Sequence, residues 1–278
     1  KGSAQSLPIP ADSARTAIPR LATARFFPSA PIPPFSPSRG TARAPIGEAE
    51  PGPGSLRDQL RIVAVDRDFR NLLTTFVIQA LATGSMLAGV NYLAEKVLED
   101  KGAATILFIC FVGPALVLTP VWAALGGRWG KKKGYVAASL VLAAGAALLM
   151  TARVAPPAVV FAATTLVGVG YAGCQVFPLA MLPDAAAVDA RRSGSSRAGV
   201  YTGVWTAAET LGLALGPAIY GQVIALGGYR SSTTGSVPQP DSALNAIVVG
   251  FSLLPAVLTV VSLWWLRRYS LEAQEVDR

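Results

Sequence analysis

Histidine is absent from this sequence of 278 residues. Its absence excludes Ser-His-Asp and Cys-His catalysis, histidine proton relays and most zinc sites. The apolar segments also contain no metal-ligand cluster and no pair of acids. We therefore predict that the protein is not an enzyme and that it has no metal site and no resident cofactor.

Cysteine is nearly absent as well. The two cysteines, Cys110 and Cys174, both fall inside apolar segments. Cysteines in such places behave as small buried hydrophobic residues. A disulfide framework or a cysteine metal site is not expected.

Charged residues are scarce, at 14% of the chain against about 25% in a typical soluble protein. Hydrophobic residues make up 52%. Apolar runs of about 20 residues, the length that crosses a bilayer, occur at 71–94, 103–125, 134–153, 157–182, 198–226 and 243–266. The sequence therefore predicts an all-α integral membrane protein with six transmembrane helices. The net charge of +8 lies in the segments between the spans, which favours membrane topology over nucleic-acid binding.

Residues 1–55 have a different composition, rich in proline, serine and arginine. Such a segment buries too little apolar surface to offset its ordering entropy, so we predict a disordered tail. A wrongly assigned gene start would explain it equally well, and an organelle-targeting role is less favoured. The domains expected are this tail, a six-helix bundle over 56–270 and a short cytoplasmic tail over 271–278.

The positive charges predict the orientation of the bundle. Residues 55–70 alternate charged and apolar residues as an amphipathic surface helix does. One side of the predicted membrane carries Arg57, Arg61, Arg67, Arg70, Arg128, Lys131, Lys132, Lys133, Arg191, Arg192, Arg197, Arg267, Arg268 and Arg278, whereas the other has only Lys96, Lys101, Arg153 and Arg230. Cytoplasmic loops hold the excess of Lys and Arg, so both ends of the bundle are expected in the cytoplasm, in the plasma (inner) membrane.

One carboxylate lies deep inside an apolar segment. No charged residue separates Glu209 from Arg197 on one side or from Arg230 on the other. A carboxylate at the bilayer centre costs about 2.5–3.5 kcal/mol on insertion scales, so such a residue normally faces a protein interior or a water-filled cavity. We predict that Glu209 faces a cavity and not lipid.

Other polar or aromatic side chains in the spans are candidates for the same cavity. Trp205 lies four residues before Glu209 and hence on the same helix face. The remaining candidates are Gln79, Asn91, Tyr171 and Gln175. In the first span, bonding between helices is as good an explanation as cavity lining. Trp205 could stack on a sugar ring, although an aromatic residue in a helix packs in the core more often.

Two stretches resemble a known family. The stretch GGRWGKKKGY at 126–135 resembles the basic turn between paired helices of major facilitator superfamily transporters. The stretch MLPD from Met181, a basic loop with glycine and then GVYTGVW resemble the glycoside–pentoside–hexuronide:cation symporter branch. The resemblance covers about residues 57–270. It implies that the six helices form one half, the second, of a twelve-helix major facilitator bundle.

The resemblance also implies roles for charged residues. Asp184 matches the acid of the MLPD motif, and Arg128 and Lys131 to Lys133 match the basic turn, which in the family form a cytoplasmic charge network that holds one closed state. With Arg191 and Arg197 they would form a cytoplasmic gate, although ordinary loop charges that fix topology explain them equally well. Two positions depart from the family, since Ala187 replaces a second acid and Glu209 lies near a position that carries a lysine.

The function implied is that of the C-terminal half of a cation-coupled symporter for a sugar or related small solute, working by alternating access, with H⁺ or Na⁺ as the coupling ion. The expected partners are membrane lipid, the solute, and either a missing N-terminal six-helix half or a second copy. Two alternatives remain open at this point: a lysolipid transporter of the same family, or a truncated membrane relic that transports nothing.

Overall fold

The computed structural model describes residues 55–231 and 237–271, and the elements in these ranges are helices without any strand. The helices are α1 (Leu56–Val65), α2 (Arg67–Tyr92), α3 (Ala103–Trp129), α4 (Lys131–Leu148), α5 (Pro157–Ser193), α6 (Ala198–Leu226), α7 (Asp241–Phe251) and α8 (Leu253–Arg267). A π-helical turn, Leu93–Val97, extends α2, and a 3₁₀ turn, Leu149–Thr151, extends α4. The predictions for the tails at 1–54 and 272–278 fall outside the described residues.

Six helical segments are long and apolar enough to cross a membrane, as the sequence predicts. They comprise α2 with its π turn, α3, α4 with its 3₁₀ turn, α5, α6, and α7 with α8. The all-α membrane architecture is therefore confirmed. The ends of the spans that carry most of the positive charge lie together and are called the basic end below.

The first three spans and the last three make corresponding helix contacts. α2 packs on α6 and on α8, and in the same way α5 packs on α3 and on α4. α4 and α8 pack on each other, and α2 contacts α5 at the centre. Internal repeats of this kind are a recurring plan of transporter folds.

Glycines allow the closest helix crossings. A Cβ on Gly216 of α6 would lie 2.6 Å from the backbone of Gly84 of α2. A Cβ on Gly170 of α5 would overlap the backbone of Leu142 in α4. Small residues permit backbones to approach in lipid, where packing and not water exclusion drives association.

The charged segment after the fourth span differs from the prediction. We expected a loop after residue 182, but α5 continues through Pro183 and Asp184 to Ser193 and ends at Gly194, which has φ +71°. The buried residues Ala185, Ala186 and Val188 explain the continuation, because they give the extra turns an apolar face to pack. The loop to α6 is therefore only residues 194–197.

Prolines act differently in two spans. α3 runs without interruption through Pro114 and Pro120. The last span instead divides at Ser252, whose φ and ψ are −120° and −70°. Pro255 explains this break, because its ring clashes with the carbonyl four residues earlier, that of Phe251.

The amphipathic helix α1 is separate from the first span. The chain leaves the helical conformation at Asp66, whose carboxylate caps α2 by accepting the N–H groups of Asp68 and Phe69. Val63 is buried, whereas Leu60 is 49% exposed. Only part of the apolar surface of α1 is therefore buried against the bundle.

Candidate transport site

Gln79 lies in the interior of the bundle, where it connects three helices. Its side-chain N–H₂ donates to the hydroxyls of Ser139 in α4 and Ser262 in α8, each at 3.0 Å. Its carbonyl oxygen accepts the hydroxyl of Tyr135, also at 3.0 Å. Gln79 is only 4% exposed. In this arrangement the side-chain bonds of Gln79 join helices, and its place in a cavity stays a prediction.

Trp205 is also an interior residue. Its side chain is 2% exposed and stacks on Phe76 of α2, with ring centroids 4.4 Å apart. The ring of Phe69 is tilted relative to the indole, with centroids 6.4 Å apart. In this arrangement the ring packs against α2, and the lining of a cavity by Trp205 stays a prediction.

Tyr171 and Glu209 lie near each other on a surface that the six helices leave open. Tyr171 of α5 stacks on Phe111 of α3, with centroids 4.8 Å apart. Tyr171 is also within electrostatic range of Glu209 in α6. Both are half-buried, as is Gln175 one turn further along α5. We call this surface of α3, α5 and α6 the open face.

The carboxylate of Glu209 has no hydrogen bond or ion pair within the part of the chain that the structure describes. It is the sole Asp, Glu, Lys or Arg between Arg197 and Arg230. Its side chain is partly covered, and its nearness to Tyr171 places it on the side of α6 that faces α5. The open face therefore holds an unpaired carboxylate inside a span.

Threonine hydroxyls occur on α6 near Glu209 at a regular spacing that was not predicted from the sequence. Thr202, Thr206 and Thr210 recur every four residues and are exposed. Thr202 and Thr210 donate to carbonyls of their own helix, those of Ala198 and Thr206. Their oxygens remain available as acceptors on the exposed side. A count of polar residues spaced four apart along α6 could have found this stripe.

α3 and α6 are the least buried of the six spans, with 11% and 22% of their most apolar windows covered. They differ in what they expose. α3 presents large apolar side chains, such as Phe108, Leu116 and Val117, whereas α6 has the lowest hydropathy of the spans. Asn91 is exposed at the far end of α2, opposite the basic end, and no observation connects it with Glu209.

At the basic end the structure brings Lys131 and Asp184 together. The ammonium of Lys131 lies 2.6 Å from the Asp184 carboxylate and also donates to the carbonyl of Ala180 at 3.0 Å. Lys132 turns to the other side and donates to the carbonyls of Arg267 and Tyr269 at 3.1 and 2.5 Å. The turn between α3 and α4 is thus attached to both α5 and the end of α8.

The other predicted gate residues are less closely joined. Arg197 lies 3.9 Å from Asp189, the nearest acid to the position where the family pattern has its second one. Arg128 is exposed at the end of α3, and Arg191 is exposed near the end of α5.

Two further contacts at the basic end were not predicted. The hydroxyl of Tyr201 in α6 donates to Asp66 at 2.9 Å. Asp68 accepts the backbone N–H and the hydroxyl of Ser270, at 2.6 and 3.0 Å. Both acids join parts of the chain that are far apart in sequence. A single sequence carries no signal for such contacts.

Among the described residues, no group of three or more His, Cys, Asp or Glu side chains is placed to hold a metal ion. Cys110 and Cys174 are both free thiols. The chemistry available on the open face is therefore that of one carboxylate, a phenol, an amide and several hydroxyls. Such groups bind protons, cations and polyhydroxylated solutes through hydrogen bonds.

Comparison with known proteins gives the family. None of the curated protein sequences matches this chain. A sequence profile of the family described as MFS/sugar transport protein matches residues 38–273, which is more than half of the chain and includes all six spans. On this match the chain belongs to the MFS/sugar transport protein family, within the major facilitator superfamily.

Proposed function

We propose that the chain is the C-terminal half of a cation-coupled secondary transporter for a sugar or related small solute, of the glycoside–pentoside–hexuronide:cation symporter branch. The single observation that supports this most is Glu209, an unpaired carboxylate on the open face of a span. An intramembrane acid without a partner is a functional-site hypothesis by default, because lipid would penalise it.

The second half of the transporter would cover the open face. α6 combines low burial with the lowest hydropathy of the spans, a combination that lipid contact disfavours. A second six-helix bundle, or a second copy of this chain, would enclose Glu209, Tyr171 and Gln175 in a cavity at the interface. Substrate sites of such transporters lie at interfaces of this kind, near the bilayer midplane.

We propose H⁺ as the coupling ion. A single carboxylate can take up one proton without any other ligand, whereas a sodium ion needs several oxygen atoms around it. The hydroxyls of Tyr171 and Thr206 lie on the same face as Glu209, but no second carboxylate does within the described spans. Protonation would remove the charge before the cavity changes its access, and the protonated acid could donate to a solute hydroxyl.

The transport cycle would rock the two bundles against each other. We propose that the basic end faces the cytoplasm of a plasma membrane, in agreement with the excess of Lys and Arg there. The pair of Lys131 and Asp184, with Lys132 on the end of α8, would hold the turn between α3 and α4 in one of the two states. Arg128, Arg191 and Arg197 would contribute charge to the same surface.

A second candidate is a lysolipid transporter of the same family. It is favoured by α3, whose exposed side chains include the large apolar residues Ile109, Leu116 and Val117. An acyl chain could lie along such a helix while its headgroup meets the polar stripe of α6. A truncated relic is the third alternative, in which the open face has no function.

Uptake into proteoliposomes tests the proposal. Labelled sugars and labelled lysolipid are offered to the chain alone and to the chain with a major facilitator N-terminal half, under either a proton or a sodium gradient. Glu209→Gln is compared with Glu95→Gln, which removes an exposed carboxylate from the π turn beyond α2. We expect sugar uptake only with the added half, driven by the proton gradient, and at least tenfold lower in Glu209→Gln than in Glu95→Gln.

Each other result has a definite meaning. Uptake of lysolipid alone would favour the second candidate. Uptake driven by sodium only would overturn the choice of ion, and full activity in Glu209→Gln would remove that residue from the mechanism. Folded protein that moves none of these solutes in either arrangement would favour the relic.

A further inference from the structure

A cleft of about 680 Å³ lies at the basic end of the bundle. Its walls come from α1, from the junction of α1 and α2, and from the segment between α5 and α6. Four aspartates and four arginines line it, so its formal charge is balanced. However, most of the acids already accept hydrogen bonds from the protein, whereas most of the arginine side chains donate none to the described residues. This difference points to a ligand.

Three of the four acids of the cleft already accept hydrogen bonds from the protein. Asp66 accepts two backbone N–H groups of α2 and the hydroxyl of Tyr201. Asp68 accepts the backbone N–H and the hydroxyl of Ser270. Asp58 accepts the hydroxyl of Ser55 at 2.8 Å. Asp189 lies 3.9 Å from Arg197, but its Oδ2 has no hydrogen-bond partner among the described residues. Two of these carboxylates also lie at the N-terminus of α2, where the helix dipole offsets negative charge.

Three of the four arginines are not engaged. Arg61 on α1, Arg67 at the start of α2 and Arg192 near the end of α5 are exposed. None of their guanidinium groups has a hydrogen bond or ion pair with another described residue. Guanidinium groups bind phosphate through paired, charge-assisted hydrogen bonds. The free hydrogen-bond donors of the cleft are therefore those of an anion site.

Apolar side chains border the same cleft. Val65, at the end of α1, is 75% exposed and lines it together with the partly buried Ile62. Leu60, on the preceding turn of α1, is 49% exposed. A free phosphate ion would leave these apolar groups in water. An amphiphile with a phosphate and acyl chains would use both the arginines and the apolar border, as interfacial helices with Arg and Leu on their surface do.

We propose that this cleft binds the phosphate headgroup of an anionic membrane phospholipid. Arg61, Arg67 and Arg192 would hold the phosphate, and Val65 and Leu60 would lie beside the upper acyl chains. This site is at the end of the bundle and separate from the open face. It does not depend on which solute the transporter carries or on whether the second half is present.

Native mass spectrometry of the full chain in detergent tests the proposal, with phosphatidylglycerol, phosphatidylcholine and soluble glycerol phosphate as probes. The variant Arg61→Gln/Arg192→Gln removes a guanidinium from opposite walls of the cleft. The matched control Lys133→Gln/Arg267→Gln removes the same charge from exposed residues of the basic end outside it. A basic residue near an anionic lipid surface contributes about 1 kcal/mol, or about fivefold in affinity. We therefore expect phosphatidylglycerol binding to fall about 25-fold in the cleft variant and to stay within about twofold of the parent protein in the control.

Four results would overturn the proposal. An equal fall in both variants would mean diffuse attraction to the basic end, and equal binding of phosphatidylcholine would mean that lipid charge does not matter. Displacement of the lipid by glycerol phosphate at similar concentration would mean a soluble phosphate ligand. Lipid binding that appears only after removal of residues 272–278, which include Glu272, Glu275 and Asp277, would mean that this acidic segment occupies the cleft.

Discussion

Lys131 and Asp184 are joined across the basic end by a contact of 2.6 Å, although 53 residues separate them in the chain. The next residue, Lys132, donates to the carbonyl of Tyr269 at the end of α8. Two adjacent lysines thus attach one turn to two different helices. A turn attached in this way can be released or held by changes in a few polar contacts, which suits a part of the protein that must change between two states.

The first prediction concerns the charge of this pair. Because Lys131 is 44% exposed and Asp184 17% exposed, the pair should contribute no more than about 1 kcal/mol to the free energy of unfolding. Its larger effect should be on transport. We expect Lys131→Asp and Asp184→Lys each to lower uptake by the assembled transporter several-fold, and the double exchange to restore part of it.

The measurement is uptake in proteoliposomes together with the thermal unfolding midpoint of each variant. Lys133→Asp provides the control, because it reverses the sign of an exposed neighbouring charge for which no contact is described. If the double exchange is no better than the single variants, the attraction between the two side chains does not contribute to transport.

The second prediction concerns Gln79. In Gln79→Met the hydroxyl of Tyr135 loses its acceptor inside the bundle. Ser139 and Ser262 keep bonds to the carbonyls of their own helices, at Tyr135 and Thr259. We therefore expect a loss of about 1 kcal/mol in stability, since hydrogen bonds between membrane helices average about 0.6 kcal/mol and an unsatisfied buried group adds to this.

Thermal unfolding in detergent measures the effect, with Gln222→Met as the control on an exposed part of α6. The half-saturation concentration for solute should stay unchanged in Gln79→Met. A large rise in that concentration, without a loss of stability, would show that Gln79 lines the solute cavity.

The third prediction concerns Tyr269 and pH. Burial raises the pKa of the Tyr269 hydroxyl, and the negative charges of Asp184, Asp68 and Asp66 raise it further. A raised pKa means that the folded protein favours the neutral phenol. Its contribution to stability is therefore complete below the ordinary pKa of about 10 and is lost as the pH rises from there toward the raised value.

Unfolding midpoints measured between about pH 8 and pH 11 should therefore fall more steeply for the parent protein than for Tyr269→Phe. The difference should be absent below about pH 9, where the phenol is neutral in both folded and unfolded chains. Parallel curves over the whole range would show that Tyr269 titrates alike in both states.

The six spans could be predicted from the sequence because their signal is local. Length, hydropathy and the spacing of basic residues belong to each segment separately, and lipid enforces helices on all of them. The sequence predictions failed where packing against a neighbouring helix determines the local structure. The extension of α5 past Asp184 depends on the packing of Ala185, Ala186 and Val188.

The candidate site was predictable in kind but not in detail. Glu209 stands out in any hydropathy profile, and Lys131 and Asp184 were found through motifs. Gln79 and Trp205 have the same helical spacing and polarity that a cavity residue would have. Their actual environment depends on the angle at which α2 turns toward α4, α6 and α8, and this rotation leaves little trace in a single sequence.

The fourth prediction separates packing from solute binding at Trp205. The ring is enclosed by Phe76 and Phe69, and its indole N–H has no acceptor among the described residues. Trp205→Phe keeps an aromatic ring in place and loses no hydrogen bond, so stability should fall by only about 1 kcal/mol. Trp205→Ala leaves a cavity and should lower stability by about 3–5 kcal/mol. In the assembled transporter, Trp205→Phe should leave the half-saturation concentration for sugar unchanged, whereas Tyr171→Ala on the open face should raise it. A rise in Trp205→Phe as large as that in Tyr171→Ala would show that the indole contacts the solute.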